Sequence, residues 1–110
     1  MERELEEKVL CGANGYNKKY FFNDEFSILP KKIQDELKII CVTFTENCGG
    51  IITLEFNDQG SLVIRTQAEE NDAMYDDINA GLEVKKIQED RQELFEDLEL
   101  FYKMFNEGAF

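Results

Sequence analysis

The residue types that carry chemistry in small proteins are sparse in this chain. It has no histidine. That removes the commonest general base, the usual partner of a nucleophilic serine or cysteine, and the commonest metal ligand. It has three cysteines, Cys11, Cys41 and Cys48. A thiol becomes a nucleophile when a nearby cation or a helix N-terminus stabilises its thiolate. Cys11 stands beside Gly12-Ala13-Asn14-Gly15, where a loop thiol could react, but the sequence shows neither activator clearly, and a small buried residue is the simpler reading. Cys41 falls among apolar residues at helical spacing and reads as core. Cys48 sits in a turn with no assigned role. An odd number of cysteines without metal or redox spacing fits reduced thiols in the cytoplasm.

Carboxylates are plentiful but poorly organised for catalysis. Glu69, Glu70, Asp72, Asp76 and Asp77 cluster ahead of a helical pattern. Oxygen ligands at such a cluster suit a divalent cation. The segment lacks the alternating acids and central glycine of a calcium loop, however, and Asp76 or Asp77 more simply caps the helix that follows. The glycine clusters, Gly12 to Gly15 and Gly49-Gly50, have neither the spacing nor the strand-to-helix context of a phosphate-binding fingerprint. The sequence therefore assigns no catalytic residue, no metal ligand and no cofactor, and the expectation is a protein that is not an enzyme.

The elements that would position any site follow from apolar spacing. Tyr16–Phe22 is aromatic-rich and predicts a strand, with Gly12 to Gly15 as a turn before it. Pro30 opens a helix over about 30–46, with Ile33, Leu37, Ile40, Cys41 and Phe44 at helical spacing. The β-branched run over 39–45 admits a strand as the rival reading. Ile51–Phe56 and Ser61–Thr66 flank Asn57-Asp58-Gln59-Gly60 and predict a β-hairpin. One long helix is predicted from about Asp76 to Glu107, with Leu94, Leu98, Phe101 and Phe105 as its seam and a weak point near Gly81–Val84. The order is β-α-β-β-α: one α+β domain over 1–110, with a small antiparallel sheet covered on one face by two helices.

The net charge is −12 and unevenly spread. Residues 67–110 hold thirteen acids against four bases, whereas 11–66 hold seven against six. A field of this sign disfavours direct binding to nucleic acid and to anionic membranes. No apolar run reaches the roughly 18–20 residues of a membrane span, and the acidic start Met-Glu-Arg-Glu lacks the basic and apolar parts of a secretory signal. The long helix would span about 45 Å, more than so small a domain covers. Part of its apolar side is thus left for a protein partner or a second copy, with Tyr102, Phe105 and Phe110 as the interface candidates.

Several strings together carry a resemblance: Val9-Leu10-Cys11-Gly12-Ala13-Asn14, Tyr20-Phe21-Phe22-Asn23, Leu29-Pro30 with Asp35-Glu36-Leu37, Phe44-Thr45-Glu46 with Gly49-Gly50-Ile51, and Leu100-Phe101-Tyr102-Lys103. The chain resembles a family of small, acidic, uncharacterised cytosolic proteins from anaerobic Gram-positive bacteria. The resemblance implies a bacterial cytoplasmic setting and adds no mechanism. The functional expectation is a non-enzymatic interaction module, as a homodimer through the C-terminal helix. The alternatives are an acidic regulator or inhibitor of a basic partner, in the manner of an immunity protein or nucleic-acid mimic, and a small-ligand or metal-binding protein.

Overall fold

The computed structural model describes residues 7–108. Val9 to Asn14, read from sequence as an apolar patch and a turn, instead form the first strand, β1 (Lys8–Asn14). Gly12 misled because glycine is the strongest turn signal. Here it serves close packing: a Cβ at Gly12 would lie 2.7 Å from the carbonyl oxygen of Ile52 on the neighbouring strand. The turn comes later, over 15–18, where the Asn14 carboxamide accepts the backbone N–H groups of Tyr16 and Asn17. β2 (Lys19–Phe22) then returns antiparallel to β1. A short 3₁₀ turn, Asp24–Phe26, follows and buries Phe26.

α1 (Lys31–Cys48) is helical through the whole β-branched run, so 39–45 is not a strand. Leu37, Ile40, Cys41 and Phe44 fall on one side of it and are buried, which outweighs the intrinsic β preference of the run. The predicted hairpin is present as β3 (Ile51–Phe56) and β4 (Leu62–Gln67). Gly50 connects α1 to β3 at φ +69°, and a Cβ there would meet the Tyr75 ring at 2.6 Å.

The four strands make one antiparallel sheet in the order β2-β1-β3-β4. A bulge at Leu10 shifts the β1–β3 register, so Leu10 and Cys11 are both fully buried although adjacent in sequence. The backbone freed by the bulge finds partners in Asn23, whose carboxamide donates to the Val9 carbonyl and whose N–H donates to the Leu10 carbonyl.

The single long helix predicted over Asp76–Glu107 is two helices, α2 (Asp77–Asp90) and α3 (Gln92–Asn106). The break falls at Arg91, not near Gly81. Arg91 has φ −117° and ψ 22°, outside helical values, and its guanidinium is paired with Glu36 of α1. Neither glycine nor proline marks the place; the residue at the break is the one joined to α1. Among the described residues the fold is thus α+β in the order β-β-α-β-β-α-α, with a four-stranded sheet and three helices instead of two. Phe26 brings the layers together: its ring meets Phe56 of the sheet and Phe101, Tyr102 and Phe105 of α3 edge-on or tilted at 5.2–6.2 Å.

Candidate functional site

The acidic segment leading into α2 is held by hydrogen bonds. Tyr16, from the β1–β2 turn, donates its phenol hydrogen to the Asp72 carboxylate at 2.6 Å and accepts the Glu69 N–H at 3.0 Å. The other Asp72 oxygen accepts the Met74 N–H. Asp76 is the N-cap of α2 and accepts the N–H groups of Ile78 and Asn79 at 2.9 and 3.2 Å. Asp72 and Asp76, two of the five clustered carboxylates, are therefore engaged in shaping the chain. Among the described residues no three acids or cysteines are gathered as a metal-binding group.

α2 has two apolar sides. Ala80, Val84 and Ile87 pack inward against the core. Ile78 and Leu82 point the other way and are 77% and 63% exposed, and Met74, two residues before the cap, is 92% exposed. Gly81 lies beside them, and none of the described residues comes within 4 Å of the position its Cβ would take. Around this stripe, residues 69–83 carry six acids and no base, and Lys85 and Lys86 follow. The arrangement is an apolar strip in a negative field.

Residues 7–109 match a family described as "Family of unknown function (DUF6145)". The chain belongs to this family. No curated protein and no solved structure matches it. The family description carries no activity, so the placement of side chains in this DUF6145 member has to supply the functional argument.

The residues singled out from sequence are scattered. Tyr102 is fully buried inside the chain, its ring stacked on Phe56 with centroids 4.0 Å apart. Phe105 is half-buried against Phe26 and Phe101. Phe110 lies outside the described residues. Cys11 is on a strand, not in a loop, and its sulfur lies 3.8 Å from that of Cys41, both fully buried. The contact with Cys11 and burial both push the Cys41 thiol up, away from thiolate. Cys48 ends α1 half-buried, and burial raises its thiol as well. The Met74-Ile78-Leu82 stripe lies apart from the sequence-predicted interface candidates Tyr102, Phe105 and Phe110. The signal was available: Ile78 and Leu82 are four apart on a helix whose inner face is already supplied by Ala80, Val84 and Ile87.

Proposed function

We propose that this protein acts by binding, and that the outer face of α2 docks a basic amphipathic segment of a partner protein. The observation that carries the reading is the exposure of Met74, Ile78 and Leu82 within a stretch of six acids and no base. Covering a large apolar side chain is worth about 1.5–3 kcal/mol, so three exposed together favour an occupant. Gly81 costs α2 about 1 kcal/mol relative to alanine. No contact among the described residues calls for it, and a small residue next to Ile78 and Leu82 lets a partner backbone come close. The acids select an occupant that carries lysine or arginine and speed its arrival. This is the acidic-regulator reading with a contact surface attached. The cytoplasm of a Gram-positive bacterium, implied by the resemblance, is the setting proposed for it.

A second copy fits this face poorly, because a two-fold contact would set one acidic stretch against another. A homodimer would instead use Leu100 and Met104, one turn apart on α3 and 60% and 39% exposed. Light scattering over a range of concentrations separates the two readings: the α2 proposal expects a monomer.

The docking proposal is tested by fluorescence anisotropy with a synthetic peptide of leucine and lysine patterned as an amphipathic helix. The full chain is expected to bind it at low salt and more weakly at high salt. Absence of binding, or affinity that ignores salt, contradicts the reading.

A further inference from the structure

Lys18, Lys19 and Lys38 face one cavity of about 490 Å³ between the β1–β2 turn and the flank of α1. Asn14, Tyr20 and Glu46 share its walls. The volume lies in the range of metabolite sites, roughly 300–1,000 Å³. Neither Lys18 nor Lys19 has a carboxylate partner among the described residues. The ammonium group of Lys38 lies 5.8 Å from the Tyr20 ring centroid. Three lysines against the one carboxylate of Glu46 make the cavity positive in a molecule of net charge −12. Distant acids are screened beyond about 8 Å at physiological ionic strength, so the nearby lysines set the local field. Lys18 also stands at φ +55°, a conformation glycine or asparagine adopts more easily. The turn thus places a lysine at this rim where a less strained residue would complete the hairpin.

We propose that this cavity binds a small phosphomonoester. Its dianion matches the excess positive charge, and lysines serve phosphate as point charges without the planar geometry that arginine gives carboxylates. The cavity is larger than one phosphate group, so an organic body occupies the remainder against the Tyr20 ring and Val42. The Tyr20 hydroxyl takes no part. It is turned inward and buried, and burial together with the neighbouring Cys11 and Cys41 thiols keeps it protonated. The cavity shares no residue with the α2 surface, so each proposal stands or falls separately.

The test is an NMR titration of the full chain with adenosine monophosphate and glucose 6-phosphate, each against its unphosphorylated parent, with inorganic phosphate and phosphatidate vesicles as further arms. At least one soluble phosphomonoester is expected to bind more tightly than about 1 mM and to shift the amides of Asn14, Lys19 and Lys38, while its parent does not. Lys38→Glu is expected to weaken binding roughly tenfold or more. Lys32→Glu, the same charge change on the same helix but outside the cavity, should leave it unchanged. Four results would overturn the proposal: no phosphomonoester bound, parent and ester bound equally, equal losses in the two variants, or binding to vesicles alone.

Discussion

Tyr16 and Asp72, 56 residues apart, are joined by a 2.6 Å hydrogen bond that ties the acidic segment to the β1–β2 turn. The bond to Asp72 is also the main reason the Tyr16 phenol titrates above its ordinary value of 10.0. A group whose pKa is higher folded than unfolded adds stability below the unfolded value and loses it as pH rises through the folded one. The tether is thus intact at neutral pH and lost on the alkaline side of about pH 10. Tyr16→Phe is expected to speed amide exchange over 69–76 at neutral pH and to remove one late-titrating component from the tyrosinate absorbance curve. Unchanged exchange would show that other contacts hold the segment.

Tyr102 stacks on Phe56 with an interplanar angle of 3° and meets Phe26 edge-on. Tyr102→Ala removes a fully buried ring from the junction of α3 and the sheet. Large-to-small changes of this kind cost about 3–5 kcal/mol. Urea unfolding should show a loss of that size, whatever the oligomeric state. A loss below about 1 kcal/mol, the level of a surface change, would mean that the ring is not packed as described.

The three thiols should differ in reactivity. Cys11 and Cys41 are fully buried, and Cys41 is held in the thiol form by its neighbour and by burial. Cys48 is half-buried at the end of α1. With an aromatic disulfide reagent at neutral pH, Cys48 is expected to react first in the native protein, and the other two only as fast as the chain unfolds. Immediate reaction of all three would contradict the burial of the pair.

Local patterns in the sequence were legible where chemistry and periodicity agreed. Leu37, Ile40, Cys41 and Phe44 marked α1, and Gly60 between two β-prone runs marked the β3–β4 hairpin. What failed depended on contacts between distant residues. Gly12 read as a turn because its neighbour across the sheet, Ile52, cannot be seen from residues 9–15. The long helix breaks at Arg91, which pairs with Glu36, 55 residues away, and no local breaker marks the place. The amphipathic seam of α3 was visible in the sequence, whereas the stacking of Tyr102 on Phe56 was not. The lysine cavity had the same difficulty, since Lys18 and Lys19 meet Lys38 only when β2 packs on α1. The acidic stretch before α2 was legible as a charge and Ile78 and Leu82 as a pair four apart on a helix, while the inward packing of Ala80, Val84 and Ile87 fixes that the pair faces outward.

The most direct measurement of the central claim compares the full chain with Ile78→Ser/Leu82→Ser for affinity to the basic amphipathic peptide. Both positions are mostly exposed, and among the described residues neither belongs to the buried core, so the variant should keep the unfolding midpoint of the parent. Each lost apolar contact is worth about 1.5–3 kcal/mol if fully covered by the partner, and every 1.4 kcal/mol is a factor of about ten. The account predicts that the double variant binds at least about tenfold more weakly while its fold and net charge are unchanged. Equal affinity of the two proteins would show that the peptide reads charge alone, and would contradict α2 as the docking face.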